Sequence, residues 1–326
     1  MLNPSWLRPD LGSLRSFAVL RYSGFAYVAP ATQDDRIVTM ATLPIEGRWS
    51  IKPVANDDVA SALAFLRRDP LINVYLISRV LEERFSSSTQ TVEVRHNRDV
   101  VLVASLATNI VLAGDRELPQ DVTETAIAVI AERIITRMLP VRAIISPAHL
   151  VEMLWLRLRT RLDPPTVVRL NQPVYAIRGR LDYPDLKEAR YATTRDLEAV
   201  IPACAAMHRE EVGIDPMERD AAGYRERVRE LIEQKRSVIR VVDGQIAAKC
   251  EYSAVTNDTV QLMGVWTNPR FRRHGHARAL LREVCGHCAR KGKTVTLFVN
   301  DFNHPAIALY ERLGFQRIGM NRALIW

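Results

Sequence analysis

The chain is poor in cysteine and has no long hydrophobic run. Its four cysteines are too few for a disulfide-built scaffold, and they indicate a reducing, cytoplasmic environment. No apolar run approaches the roughly 18 residues that a membrane-spanning helix needs. The apolar stretch 17–29 follows Arg8 and Arg15 but is interrupted by Arg21, so an N-terminal extension is a better interpretation than a secretory signal. These absences argue against a membrane protein and against a small secreted domain.

The common phosphate-binding signatures are also missing. The chain has no Gly-Lys-Ser/Thr and no G-x-G-x-x-G, which argues against Walker-type nucleotide hydrolases and dinucleotide-binding domains. It has no recognisable nucleic-acid-binding motif. The net charge is nevertheless +8, and residues 270–293 hold eight Lys or Arg against the single acid Glu283. Such a cluster attracts the phosphates of a nucleotide-like cofactor or of nucleic acid, unless it is only a solvated helix face.

The order of predicted elements repeats along the chain. Residues 1–45 hold scattered prolines and are predicted to be an extension. Residues 46–180 and 186–326 each begin with a strand and helices, continue with three strands, and then alternate helix, strand and helix. We therefore predict two tandem, related domains joined by a polar linker. The strand 166–177 contains Pro173, which predicts a sheet edge or a break at that point.

One turn in the second domain carries an indication of function. Arg272-Arg273-His274-Gly275-His276-Ala277 is followed by apolar residues at helical spacing, which predicts an amphipathic helix over 275–291. The turn therefore lies at a helix N-terminus, where free backbone N–H groups and the helix dipole favour an anion. Gly275 permits close backbone approach, and Arg272 and Arg273 add positive charge. An ordinary strand-to-helix turn with one glycine is the simpler alternative.

Two separated motifs resemble those of the GNAT acyltransferases. The family's Arg/Gln-x-x-Gly-x-Gly/Ala turn is matched by Arg272, Gly275 and Ala277. Its Asn-x-x-Ala-x-x-Leu-Tyr-x-x-x-Gly-Phe motif is matched by Asn303, Ala306, Leu309, Tyr310, Gly314 and Phe315. The whole chain also resembles actinobacterial tandem-GNAT proteins whose N-terminal domain is degenerate. The resemblance implies an α+β fold of two GNAT-like domains, each with a mixed, mostly antiparallel sheet flanked by helices.

The resemblance also implies acetyl-CoA as a co-substrate of the second domain. Backbone groups of a bulged fourth strand would hold the acetyl carbonyl and the pantetheine arm, and the turn would cradle the pyrophosphate. Asn303 would hydrogen-bond the pantetheine arm, cap a helix, or do both. The implied cofactor-binding residues are Val265, Trp266, Thr267, Arg272, Arg273, His274, Gly275, His276, Ala277, Arg278, Asn300, Asn303 and Tyr310. The corresponding first-half region, 109–130, lacks the turn, so that half is expected to bind no CoA and to shape the acceptor channel or bind a regulator.

The resemblance implies one catalytic acid and leaves several candidates for the catalytic base. Tyr310 would protonate the departing CoA thiolate, although core packing is the alternative role for its helix face. Some relatives place a Glu early in the fifth strand, where this chain has Phe298. The candidate bases are therefore Glu210 and Glu211, in a predicted loop between the first two helices of the domain, and Glu251 on a strand. Each has a simpler alternative, as an exposed surface charge or an outward-facing strand residue.

Cys285-Gly-His-Cys288 invites a metal or redox interpretation. Both cysteines fall on the buried face of the amphipathic helix, so packing is the expected role. A zinc site would need further ligands, and only scattered histidines are available. We predict no metal.

The leading hypothesis is an N-acetyltransferase in which an amine attacks the thioester of acetyl-CoA directly. The acceptor would be a small-molecule or peptide amine, with no nucleic-acid or membrane partner. One alternative is a non-catalytic acyl-CoA-binding regulatory module, which the missing strand-five Glu motivates. Another is a nucleic-acid binder that uses residues 270–293. Neither the acceptor nor the oligomeric state is determined by the sequence.

Overall fold

The computed structural model describes residues 48–55, 58–83, 90–179 and 181–326. The predicted extension, residues 1–45, lies outside the described residues. Within the described part of the chain, no helix is both long enough and apolar enough to cross a bilayer.

The first half contains six strands and four helices within its described residues. They are β1 (Trp49–Pro53), α1 (Asp58–Leu66), α2 (Val74–Glu83), β2 (Thr91–His96), β3 (Asp99–Leu106), β4 (Asn109–Gly114), α3 (Gln120–Thr136), β5 (Ala143–Pro147), α4 (Ala148–Leu158) and β6 (Val167–Ile177). The order agrees with the order predicted from the hydrophobic pattern, because period-2 and period-3.6 runs alternate clearly here.

The second half repeats this order with six strands and four helices. They are β7 (Ala189–Tyr191), α5 (Leu197–Val212), α6 (Pro216–Glu233), β8 (Ser237–Val242), β9 (Gln245–Val255), β10 (Thr259–Thr267), α7 (His276–Arg290), β11 (Thr294–Phe298), α8 (His304–Arg312) and β12 (Gln316–Ile325). Short 3₁₀ turns at Thr194–Asp196 and Pro269–Phe271 precede α5 and α7.

All twelve strands form one continuous sheet. Its order is β1-β2-β3-β4-β5-β12-β6-β11-β10-β9-β8-β7. The β4–β5 and β10–β11 pairs are parallel and the other nine pairs are antiparallel. The predicted mixed, mostly antiparallel sheet flanked by helices is therefore confirmed. The two halves do not build separate sheets, however, because they share one.

The halves are joined by an exchange of strands. β6, from the first half, pairs with β11 of the second half, and β12, from the second half, pairs with β5 of the first. Tyr175 and Ile177 of β6 consequently belong to the core beneath α7 and α8, whereas Leu324 of β12 belongs to the core of the first half. Each half thus completes its hydrophobic core with side chains from the other.

The prediction of a sheet edge at Pro173 is wrong, because β6 lies between β12 and β11. An interior proline is tolerated here because the pairing with β11 begins one residue later, at Val174. On the other side, the register with β12 shifts between Arg317 and Gly319, next to the Met320–Pro173 pair. Proline has no N–H to donate, and Pro173 lies where the strand pairing is irregular. The other predicted possibility, a break at Pro173, therefore agrees with the structure.

Helices cover both faces of the sheet in the second half. One face packs on α7 and α8 through residues such as Leu280 and Val284, and the other packs on α5 and α6 through residues such as Val200 and Ile232. Cys285 and Cys288 are buried in the first of these cores, as packing residues should be. The alternation of β9 side chains between the two faces positions the groups described next.

Candidate active site

A β-bulge interrupts β10 at the centre of the second half. Met263 pairs with Glu251 and Trp266 with Lys249, so two residues of β10, Gly264 and Val265, stand opposite one residue of β9. Such a bulge leaves a residue outside the ladder and turns its backbone groups away from the neighbouring strand. The fourth strand of the second half is therefore bulged at Gly264 and Val265, next to the residues that the resemblance implies for cofactor binding, Val265–Thr267.

Gly264 makes the bulge possible. Its φ is +58°, in the left-handed region that favours glycine. A Cβ at this position would collide with the Glu251 carboxylate and would lie 2.9 Å from the Met207 sulfur. Only a glycine therefore fits between β10 and the buried side chains beneath it.

Two parallel strands part beside the bulge. β10 and β11 pair only over Thr259–Gln261 and Thr294–Thr296, and no pairing continues past Gln261 toward the bulge. On its other edge, β11 pairs with β6 from Val174 to Ile177. The separation of β10 from β11 exposes the backbone edge of the bulge to a ligand.

The basic turn follows directly after β10. Asn268 accepts a hydrogen bond from the Arg270 N–H at 3.1 Å and opens the 3₁₀ turn, and the Arg272 side chain donates to the Thr267 carbonyl at 3.1 Å. Arg273 and Gly275 both have positive φ, of +66° and +81°. These conformations turn successive backbone N–H groups toward one side, which is the geometry of an anion-binding nest.

The helix α7 begins at His276 without a side-chain cap. Its first-turn N–H groups therefore have no side-chain acceptor, and the positive end of the helix dipole faces the same side. His276 stacks edge-on against Phe271 with ring centroids 5.7 Å apart. Its pKa is lowered by burial, by Arg240 and by His274, so this ring stays neutral near pH 7. The turn and helix start together fit a pyrophosphate.

The phenol of Tyr310 lies on the same side of the sheet as the bulge. Tyr310 is buried on α8, with its ring 6.4 Å from that of Tyr175 and 5.8 Å from that of Phe315. Val265 packs against the same core cluster. Burial, together with the charge of Glu211, raises the pKa of Tyr310 well above its usual value, so its hydroxyl stays protonated. Both proposed roles, packing and proton donation, are compatible with this position.

Asn303 caps α8, which is one of the two roles predicted for it. Its side chain accepts a hydrogen bond from the Ala306 N–H at 3.3 Å. Asn300, three residues earlier, accepts from the Gln172 side-chain amide at 2.9 Å. Gln172 belongs to β6, so the first half holds part of the loop in which both asparagines lie.

Glu251 points inward, so its interpretation as an outward-facing strand residue is wrong. Lys249 and Glu251 alternate with Cys250 on β9 and form an ion pair whose side chains are 0% and 3% exposed. The Lys249 ammonium also donates to the Gly264 carbonyl at 3.2 Å, and the Cys204 thiol donates to Glu251 at 3.3 Å. Burial works to lower the pKa of Lys249, but the Glu251 carboxylate overrides it and holds the pKa above its usual value. The pair lies directly under the bulge.

Glu210 and Glu211 lie in the last turn of α5, not in the loop where they were predicted. The helix continues to Val212 and ends at Gly213, whose φ is +80°. Both carboxylate oxygens of Glu210 are engaged, one by the Trp266 indole N–H at 3.2 Å and one by Arg272 at 2.6 Å. Glu210 therefore ties α5 to the bulge and to the basic turn.

Glu211 has a different environment. Its side chain reaches solvent, yet crowding by protein atoms desolvates it and raises its pKa, an effect that Arg169 and Lys249 oppose. The Glu211 carboxylate makes no hydrogen bond to any residue in the described ranges, and its backbone carbonyl accepts from Arg169 at 2.8 Å. Glu211 also contributes to the raised pKa of Tyr310, so the two groups lie within electrostatic reach of each other.

The sequence did not single out several residues of this site. Lys249 could have been found, because two opposite charges at i and i+2 on a buried strand must share a face. Arg169 and Gln172 gave no signal, since they come from β6 and meet the second half only through the strand exchange. In the described residues, no group of three metal-ligating side chains occurs.

Comparisons with known proteins agree with this geometry. Residues 204–315 match the model of the acetyltransferase (GNAT) family, and residues 102–200 match a domain of unknown function, DUF4081. No curated protein sequence matches the chain. The chain therefore carries a GNAT domain in its second half, as the two motifs predicted.

Solved structures show the same architecture over most of the chain. A GNAT-family acetyltransferase from Colwellia psychrerythraea is 15% identical, covers 85% of this chain and 100% of its own, and gives a TM-score of 0.51. A GCN5-related N-acetyltransferase from Sphaerobacter thermophilus is 17% identical over 84% and 94%, with a TM-score of 0.51. A tandem GNAT protein from the clavulanic acid biosynthesis pathway is 13% identical over 85% and 98%, with a TM-score of 0.50. At these identities the likeness is one of fold, and GNAT folds in general support acyl transfer from acyl-CoA.

Proposed function

We propose that the second half is an acetyl-CoA-dependent N-acyltransferase that acetylates an amine. The observation that carries the proposal is the convergence of three features: the β10 bulge beside the parted strands, the uncapped start of α7 after a turn with two positive φ values, and the protonated phenol of Tyr310. Acetyl-CoA would supply the activated acetyl group. Val265, Trp266 and Thr267 would hold the thioester end, and the turn 272–278 would hold the pyrophosphate.

The chemistry follows from these positions. The amine nitrogen attacks the thioester carbonyl carbon, a C–N bond forms, and the C–S bond breaks. Backbone N–H groups at the bulge stabilise the oxyanion, and Tyr310 gives its proton to the departing thiolate. The products are an amide and CoA.

Glu211 is the best candidate to take the proton from the amine. Both oxygens of Glu210 are engaged, by Trp266 and Arg272. Glu251 is buried and its Oε1 is held by Lys249 and Cys204. A base with a raised pKa captures a proton from an ammonium group more readily at neutral pH than an ordinary glutamate does. Its negative charge also suits a cationic acceptor. Glu210 then serves to position the turn.

We propose that the two halves of the chain have different roles. The half 46–180 supplies β6 and thereby Arg169 and Gln172 to the acceptor side, and the half 186–326 supplies the acetyl-CoA site. A CoA site in the first half is not proposed, because the start of α3 follows Pro119 without the basic glycine turn.

The test is to measure acetyl-CoA binding by calorimetry and CoA release with a panel of small amines, amino acids and peptides. We expect one acetyl-CoA per chain and turnover with at least one amine. Binding without turnover on any acceptor would favour the alternative of a non-catalytic acyl-CoA-binding module, for which Phe298 in place of a strand-five glutamate is the supporting observation. No binding would end both hypotheses.

A further inference from the structure

A cavity lies at the far end of α7 from the proposed acetyl-CoA site. Its volume is about 780 Å³. The walls come from β7, β9, β10, the turn between α6 and β8, the end of α7 and the end of α2. The lining residues on which the argument rests are Glu82, Tyr191, Lys235, Arg236, Tyr252 and Lys291. Since α7 has 15 residues, the cavity and the pyrophosphate turn are separated by about 22 Å of helix.

Positive charge dominates this cavity. Four Lys or Arg side chains line it against one acid, Glu82. Arg236 forms an ion pair with Glu82 at 2.5 Å, and this pair joins the two halves of the chain at the edge of the cavity. Lys293 donates to the Thr256 carbonyl. Among the described residues, neither Lys235 nor Lys291 has an ion-pair partner, so two uncompensated ammonium groups remain.

His287 adds a further polar group to the wall. Its Nδ1 lies 2.6 Å from Asp185, and its ring stands edge-on to Tyr191 at 5.9 Å. Asp185 thus contacts this ring and not the two free lysines. A positively charged cavity of this kind attracts an anion and repels an amine, which makes it unsuitable as an extension of the proposed acceptor site.

A buried hydroxyl lines the same cavity. Tyr252 is 4% exposed, and its Oη lies near the Tyr191 hydroxyl and the Cys288 thiol without a well-formed hydrogen bond to any described residue. Buried polar groups without partners are rare in proteins, and those that occur call for an explanation such as a ligand.

The remaining wall is apolar. The rings of Tyr191 and Tyr252 meet edge to face, 6.2 Å apart, and Val255 and Val260 continue this surface. The volume lies within the range of ordinary small-molecule sites, which combine an apolar lining with a few placed polar groups. The bound molecule would therefore need an apolar or aromatic body as well as a charge.

We propose that this cavity binds a small organic anion, with its carboxylate or phosphate at Lys235 and Lys291 and its apolar body against Tyr191 and Tyr252. At this site Arg236 of the second half contacts Glu82 of the first half. A bound molecule would therefore affect the contact between the two halves. It is independent of the proposed acetyl-CoA site.

The test is calorimetric titration of the full chain with phenyl phosphate, benzoate and inorganic phosphate, at constant ionic strength and with acetyl-CoA absent or saturating. We expect saturable binding of an aromatic probe, tighter by about tenfold than that of inorganic phosphate because the apolar wall contributes. Comparison of phenyl phosphate with benzoate identifies the preferred head group. Saturating acetyl-CoA should leave this binding unchanged.

Matched variants locate the site. Lys235→Gln combined with Lys291→Gln should weaken the aromatic anion by about tenfold or more. Lys187→Gln makes the same kind of change at a single exposed lysine outside the cavity and should change nothing. Both variants should retain the wild-type affinity for acetyl-CoA. Absence of saturable binding, equal binding by the double variant, or displacement of the probe by acetyl-CoA would each overturn the proposal.

Discussion

The residue that most constrains the second half is the buried Lys249. Its ammonium is fully enclosed and is satisfied by Glu251, by the Gly264 carbonyl and by the Met207 sulfur at 3.6 Å. A buried ion pair contributes little net stability, but loss of one partner leaves a costly unpaired charge. The pair holds the shape of the bulge above it.

We therefore expect Lys249→Met to lower the free energy of unfolding by about 3–5 kcal/mol, because Glu251 would be left buried and charged. The double variant Lys249→Met, Glu251→Leu should recover most of this loss, since it removes both charges. Urea denaturation followed by circular dichroism measures both. A double variant as unstable as the single one would show that the pair is needed for packing and not for charge balance.

Tyr310 is expected to act through its hydroxyl alone. Tyr310→Phe keeps the ring in the core and removes the proton donor, so kcat should fall by about 10²-fold or more while acetyl-CoA affinity is retained. Tyr175→Phe is the matched control, because it removes a hydroxyl that bonds Glu311 at 3.0 Å in the same core. An unchanged rate for Tyr310→Phe would assign proton donation to another group.

Glu211 gives the proposed reaction a pH dependence. Its raised pKa means that the charged, proton-accepting form appears at a higher pH than for an ordinary glutamate, so kcat should rise as pH increases through that pKa. Glu211→Gln should lower kcat and remove this acidic limb. Glu218→Gln, an exposed change on α6, is the control. A limb that persists in Glu211→Gln would identify a different base.

At the scale of elements, the bulge of β10 depends on one glycine. Gly264→Ala should cost about 2–4 kcal/mol in the free energy of unfolding, because the new Cβ is strained at positive φ and also meets Glu251. Gly244→Ala separates the two effects, since φ is +72° there but no atom lies within 4 Å. Thermal denaturation should show a smaller loss, about 1 kcal/mol, for Gly244→Ala. Equal losses would mean that the space under the bulge is not limiting.

Local elements of the site followed from the sequence because local patterns encode them. The amphipathic spacing after Gly275 predicted α7, and the motif around Asn303 and Tyr310 predicted α8 with its cap. The end of α5 was missed by about one turn, since Glu210 and Glu211 are good helix formers and the terminating Gly213 lies beyond them. Partners of the glutamates were not predictable, because they come from other strands.

At the scale of the whole molecule, the strand exchange is what the sequence could not show. Two tandem domains were predicted from the repeated order, and that order is present. Yet β6 and β12 carry no sequence pattern that assigns either strand to one half. Their pairing is decided by sheet closure over more than 100 residues of separation, a property that periodicity does not contain. The shared sheet makes stability a property of both halves together.

Leu324 tests this joint stability. It lies on β12, is 2% exposed, and fills the core of the first half. Leu324→Ala should cost about 2–5 kcal/mol, and both halves should still unfold in one transition. Leu170→Ala, a change of the same kind at a side chain 47% exposed on β6, should stay within about 0.5 kcal/mol. Two separate melting transitions in the Leu324 variant would show that the halves are independent.

The exchange also has a consequence for biosynthesis. When residues up to 177 have left the ribosome, strands β1 to β6 have all been made. The position between β5 and β6 stays empty, however, until β12, residues 316–325, emerges. Translation of the entire second half must therefore finish before the first half can close. During that interval the exposed edges of β5 and β6 are natural sites for a chaperone.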